Sequence, residues 1–375
     1  MTYQSCENNP NDVGQGFLPT IDTTGLRFLD SEADTMNITN QNYKSYVTDF
    51  VTAKFMVGRY QDYESKTLLK FTNIGVDFDS ATVVSSILKL KYSNYFFKDK
   101  MGNTDFDIYQ ALEKFNFTTV KFDSINSSNI GNVSLGSYSG VVNDSQSIDI
   151  TINNQIVKDW LEYAADTNHA VKNYGVLLQP RISSSTIKGF YSSSNGVELV
   201  PSMTVIYSKN NVLDTLLLDF TEFASMSDAP ASVIPAEHFL LQNGVAYRNI
   251  MNFDLSKLPP NVIINNATLE FTLDNSLSYI TDETDKSIVI GMVIDSVTKT
   301  DSIFTPAFLS DTIVYSISLN SVFQRWNSGV MPNLGITLKN AFEVQNLDNF
   351  AIYSSAYSDP TKRPRLKITY TPRLQ

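Results

Sequence analysis

Two acidic runs carry the residue types that hold a hard cation. Asp99, Asn103, Asp105 and Asp107 cluster in KDKMGNTDFD, and Asp282, Glu283 and Asp285 in TDETDK, at comparable places in two halves of the chain. Calcium takes about six to eight oxygen ligands, and loops rich in Asp and Asn supply them, so structural calcium is the one cofactor these residues suggest. Neither run has EF-hand spacing, and a solvated acidic loop is the alternative for both. Aromatic side chains form the second group. Tyr60 and Tyr63 stand in the polar stretch GRYQDYESK, and Tyr95 and Phe97 in the run YSNYFF. Exposed aromatic faces stack on the apolar faces of sugars. Along an extended strand Tyr95 and Phe97 point opposite to Tyr92 and Phe96, so one set can fill a core while the other stays free for a carbohydrate.

Nothing marks a catalytic centre. There is no G-x-S-x-G, no phosphate-binding glycine loop and no H-E-x-x-H. Two carboxylates suffice for a glycosidase, but no acid pair recurs between the halves. His169 and His238 lack ligand-spaced partners and read as ordinary loop or sheet residues. The expectation is a protein that binds rather than catalyses.

The elements that must position these residues come from a chain of 375 residues, 42% hydrophobic, with 23 Phe and 19 Tyr, enough apolar surface to exclude disorder. The net charge of −11 repels phosphate backbones, so nucleic acid is not an expected partner. A single Cys excludes a disulfide framework, and no apolar run reaches the roughly 18 residues of a membrane span. That residue, Cys6, follows Ser5 and precedes a polar, turn-prone stretch. The segment CENNPNDVGQGFLP resembles the mature start of surface lipoproteins from Bacteroidetes-type bacteria. That resemblance implies a lipid on Cys6 and membrane contact through the anchor alone. The other reading of Cys6 is an ordinary buried thiol.

The chain repeats itself. Trp160 and Trp326 each follow an apolar residue four positions earlier, Ile156 and Val322, and each precedes a loop and a Gly-led strand. KTLLKF from Lys66 matches RNIMNF from Arg248, SSILKLKY from Ser85 matches NATLEFTL from Asn266, FYSS from Phe190 matches IYSS from Ile352, and VPSMTVIY from Val200 matches RPRLKITY from Arg363. The matches are collinear, so insertions fall between elements. Ala267, Leu269, Phe271 and Leu273 alternate with polar residues, as do Leu366, Ile368 and Tyr370, the period of half-buried antiparallel strands. Each Trp falls on a short helix as a core plug. The expected division is a tether over 1–25 and two units over 26–209 and 210–375, with the boundary near Ser208–Asn211.

At these positions the sequence resembles the DNRLRE domain family, secreted β jelly rolls akin to carbohydrate-binding modules. The second copy carries the pattern through Ile250-Met-Asn-Phe-Asp-Leu-Ser, Asn266-Ala-Thr-Leu, Trp326 with Gly329, Asn333-Leu-Gly and Arg363-Pro-Arg-Leu. The first keeps Trp160 and Asn173-Tyr-Gly but has Val200-Pro-Ser-Met for Arg-Pro-x-Leu. The resemblance implies an all-β protein of two tandem antiparallel jelly-roll sandwiches, each with one Trp-bearing helix, exported or displayed at a cell surface. Its expected role is non-catalytic binding of a glycan or surface polymer. The alternative is a structural subunit of a surface layer, adhesin or filament, with copies of itself as partners.

Overall fold

The computed structural model describes residues 25–373 apart from 35, 73, 76, 77, 79, 193–198, 282–285, 296, 298 and 311. Half of the residues lie in strands and two α-helices occur among the described residues, so the all-β expectation holds. The chain begins with β1 (Arg27–Asp30) and β2 (Ile38–Lys44). It continues through β3 (Lys54–Tyr60), β4 (Tyr63–Thr72), β5 (Thr82–Phe97), β6 (Phe106–Ala111), β7 (Ile130–Tyr138), β8 (Ser147–Thr151), α1 (Asn154–Ala165), β9 (Val176–Pro180), β10 (Ile187–Tyr191), β11 (Ser202–Lys209) and β12 (Val212–Asp228). The same series then returns as β13 (His238–Gln242), β14 (Tyr247–Phe253), β15 (Ile263–Thr272), β16 (Ile288–Asp295), β17 (Thr300–Leu309), β18 (Val314–Ser318), α2 (Asn320–Asn327), β19 (Ile336–Asn340), β20 (Asn349–Tyr353) and β21 (Arg365–Thr371).

The repeat read from sequence is also a repeat of strand pairing. Leu88 of β5 lies between Ile150 of β8 and Met203 of β11, and Leu269 of β15 lies between Ile317 of β18 and Leu366 of β21. Leu68 of β4 pairs with Leu177 of β9, as Ile250 of β14 pairs with Thr337 of β19. The expected alternation sets the register: Ala267, Leu269 and Phe271 are buried on β15, and Leu366, Ile368 and Tyr370 on β21. A one-residue slip would turn those side chains to solvent, so the pairing is strongly specified.

Sheet membership does not follow the expected boundary. Asn210 and Asn211 both adopt left-handed backbone, with φ of 53° and 63°, and join β11 to β12 in a tight hairpin. Two consecutive positive φ angles are what a two-residue hairpin with right-twisted strands requires, and Asn tolerates them. The stretch read as the boundary is therefore the turn of a ladder. Beyond it, β12 pairs first with β11 and then, from Asp219 onward and with a bulge at Phe220–Glu222, with β4. The corresponding place in the other half is filled by the start of the chain: β1 pairs with β21 and β2 with β14. One ten-stranded sheet thus runs from β3 to β12, and one eleven-stranded sheet joins β13–β21 to β1 and β2.

Each sheet encloses its own core. Phe55, Leu69, Leu88, Ile150, Trp160 and Met203 pack together in the first, and Phe239, Met251, Leu269, Ile317, Trp326 and Leu366 in the second. Trp160 is 1% exposed and Trp326 7%, so both indoles are core residues. In α1 the buried stripe is Ile156, Val157, Trp160 and Leu161, and Asn153 caps its start by accepting from the N–H groups of Gln155 and Ile156. A third cluster joins the halves, with Met56, Tyr63, Tyr95 and Phe97 from one and Leu240, Tyr247, Leu347 and Ala351 from the other.

Candidate functional site

The four aromatics proposed for sugar stacking do converge, but inside the joint between the halves. Phe97 is fully buried, with Tyr63 at 5.0 Å, Tyr60 at 5.9 Å and Tyr279 of the second half at 5.1 Å between ring centroids. Tyr95 is 2% exposed and its hydroxyl accepts a hydrogen bond from the Leu347 N–H at 2.9 Å. Tyr63 is buried and Tyr60 half-buried. Burial raises the pKa of the Tyr63 hydroxyl, the chief cause being loss of solvent. The faces of Tyr63, Tyr95 and Phe97 are therefore covered by protein. One fact hidden from the alternation argument explains this: the second half covers the side that β5 turns outward there.

The first acidic run does not converge either. Asp99 accepts from the Met101 N–H, and buried Asp105 accepts from the Ser139 hydroxyl at 2.8 Å and the Gly140 N–H at 3.1 Å. Asp107 faces Arg181, Nε to Oδ2 at 2.9 Å, and this hydrogen-bonded guanidinium holds its carboxyl below the usual range. Asn103 is held through its backbone, which bridges Val141 and donates its N–H to the Ser185 hydroxyl oxygen at 2.9 Å. Each acid thus satisfies its own turn or strand, and these carboxylates do not meet at one point. Asp282, Glu283, Asp285 and Cys6 lie outside the described residues.

The structure instead draws attention to the end of the first half that Trp160 plugs. A cavity of about 300 Å³ opens there. Its walls are Trp160 and Tyr163 from α1, Phe115 and Phe117 from the segment after β6, Asn173 and Tyr174 ahead of β9, and Lys70 of β4 with Lys114 at the mouth. The segment after β6 lies where it does because Phe115, Phe117 and Val120 cover an outward apolar face formed by Leu68, Leu177, Ala224 and Met226. The 173–175 segment is pinned to β4. Asn173 Nδ2 donates to the Phe71 carbonyl at 2.9 Å, and Gly175, at φ 104°, lies so close that a Cβ would meet the Leu69 carbonyl oxygen at 2.5 Å. Only glycine fits both demands.

Two of its wall residues carry a buried polar atom without a hydrogen-bond partner, the Trp160 indole nitrogen and Asn173 Oδ1. An unpaired buried donor or acceptor costs about 1–3 kcal/mol. Lys70 is paired with Glu222 at 3.2 Å, and Lys172 sits 5.1 Å from the centre of the Tyr163 ring. Aromatic walls with a few polar groups suit a ring that is apolar on its faces and hydroxylated at its rim.

The second half has the same frame but a different end. Asn333 Nδ2 donates to the Phe253 carbonyl at 2.8 Å, Gly335 has φ of 86°, and the Trp326 indole nitrogen also lacks a partner. Its helix stops at Asn327, however, and Gly329 stands three places after Trp326 where Tyr163 follows Trp160. Sequence reasoning used Asn173 and Gly175 only as fold markers, and missed Tyr163, Tyr174, Phe115 and Phe117. The legible signal was the contrast between copies, aromatic and longer after the first Trp, small after the second. On the flank of α1, Asp159, Glu162 and His169 bring together one ligand atom each within 4.8 Å, a set able to hold a metal ion. Set against family models, curated proteins and solved structures, the chain matches none of them.

Proposed function

We propose that this protein is a non-catalytic binding protein, exported or displayed at a cell surface. In this reading it consists of two tandem jelly-roll β-sandwich modules of the DNRLRE type. The first comprises β3–β12, and the second β13–β21 completed by β1 and β2. The ligand is a neutral glycan or a similar hydroxylated polymer, and the Trp160 cavity of the first module takes one ring of it. The observation that carries this is the cavity lined by Phe115, Phe117, Tyr163 and Tyr174 with two unpartnered buried polar atoms in its wall residues. Export is supported by the residues around Cys6 and by the Ser-, Thr-, Asn- and Tyr-rich composition. A glycan array followed by calorimetric titration tests it. Tyr163→Ala should weaken binding of any captured glycan at least tenfold. Full affinity in that variant rejects the cavity as the site, and an array without hits rejects the glycan.

One observation favours a structural subunit as the second reading. The first strands of the chain complete the last sheet, and the same closure made between neighbouring molecules would link them head to tail. Light scattering across a concentration series decides this, since a strictly monomeric protein at high concentration excludes it.

A further inference from the structure

We propose that Asp159, Glu162 and His169 bind a divalent transition-metal ion of the zinc class on the flank of α1. His169 Nε2 lies 3.6 Å from Asp159 Oδ1 and 3.7 Å from Glu162 Oε2. Zinc bonds of about 2.1 Å at tetrahedral angles place ligand atoms roughly 3.4 Å apart, close to both His169 distances, and all three ligand atoms lie within 4.8 Å of one another. The arrangement is local and built in advance. Asp159 and Glu162 are three apart on one helix and share a face. His169 is returned to that face by the turn at the helix end, where Asp166 N–H donates to the Glu162 carbonyl at 2.8 Å and His169 N–H to the Asp166 carbonyl at 2.9 Å.

The surroundings leave the ligand atoms available. Gln155 Nε2 donates to Asp159 Oδ1 at 3.0 Å and orients it, using one of that oxygen's lone pairs. Lys158 pairs with Glu162 through Oε1, at 3.4 Å, so Oε2 still faces the imidazole. The side chains of Asp159, His169 and Glu162 are 15%, 25% and 31% exposed, sheltered but open to an entering ion and to a fourth ligand from water. One imidazole nitrogen with two carboxylates selects a borderline metal over calcium or magnesium, which prefer oxygen alone. The second half lacks the set. Counted from the two Trp residues, Arg325 stands in place of Asp159 and Ser328 in place of Glu162. A bound ion would tie α1 to the segment that carries Asn173 and Tyr174, stiffening one wall of the cavity. The assignment of the metal does not depend on the glycan reading.

The chain has only two histidines, so their imidazole resonances can be followed individually. Zinc chloride titrated into the full chain should perturb the His169 resonances while His238 stays still. Calorimetry should give one saturable site, with calcium and magnesium producing no comparable binding. His169→Ala and Glu162→Gln should each weaken zinc at least tenfold, with circular dichroism verifying that both variants stay folded. Absence of saturable zinc binding by the folded wild type overturns the proposal. So does a response centred on His238, or undiminished affinity in folded His169→Ala.

Discussion

Arg365 in the last strand grips Asp30 in the first, Nε to Oδ1 at 2.9 Å, across 335 positions of sequence. The hydrogen-bonded guanidinium holds the Asp30 carboxyl below its ordinary range. The pair marks the closure of the second sheet by the start of the chain, where Ile38 and Met36 enter the core beside Met251 and Phe253.

That closure has a direct consequence for stability. Removing residues 1–44 should strip β14 and β21 of a partner strand and open the second core while the first stays folded. Hydrogen exchange should show protection lost across 247–253 and retained across 64–72. Within the full chain, Ile38→Ala should cost about 2 kcal/mol in chemical denaturation. Equal loss of protection in both halves would contradict the separateness of the two cores.

The joint offers a second prediction. Phe97 contacts Tyr60, Tyr63 and Tyr279, so Phe97→Ala should destabilise the protein by about 3–5 kcal/mol. The same substitution should leave ligand affinity unchanged in protein that remains folded. Denaturation and titration of one preparation check both statements. Weakened binding without lost stability would return these aromatics to the role first expected of them.

Lys188 is fully buried, its ammonium donating to the Lys100 carbonyl at 2.5 Å beside the Tyr92 ring. Loss of solvent pushes its pKa down to about 8 from 10.5. Between those values the unfolded chain binds the extra proton, so this residue makes stability rise as pH increases from about 8 toward 10.5. Burial pushes Tyr247 the other way, up to about 12, so above pH 10 the unfolded chain releases its proton first and stability falls. Melting temperatures should therefore climb above pH 8 and decline beyond pH 10. Lys188→Met should raise stability at pH 7 and remove the climb, and an unchanged slope in that variant would refute the assignment.

Gly175 and Gly335 make the repeat testable at one atom. A Cβ would meet the Leu69 carbonyl oxygen at 2.5 Å in the first case and the Met251 carbonyl oxygen at 2.6 Å in the second. Both residues have positive φ. Gly175→Ala and Gly335→Ala should each cost more than about 1 kcal/mol. Gly329→Ala, whose Cβ meets nothing, should carry only the strain of φ 71°. Melting curves of the three variants rank these costs.

The amino-acid sequence by itself determined the strands, the doubled series and the burial of both tryptophans. Each of these is written in local period, and alternation such as Ala267, Leu269 and Phe271 states which side of a strand must leave water. It does not state what covers that side. Tyr95 and Phe97 were assigned a free face because their cover comes from Leu347 and Tyr279, more than 180 positions away. Asn210–Asn211 looked like a boundary because a turn signal is the same whether the chain leaves a sheet or doubles back into it. The exchange that sends β1 and β2 to the second half depends on which free strand edge the chain can reach. The cavity gathers Lys70, Phe115, Tyr163 and Tyr174 from four separate segments. Only tertiary structure decides such partnerships, because apolar burial and strand pairing are indifferent to sequence distance once the connecting loops are long enough to close.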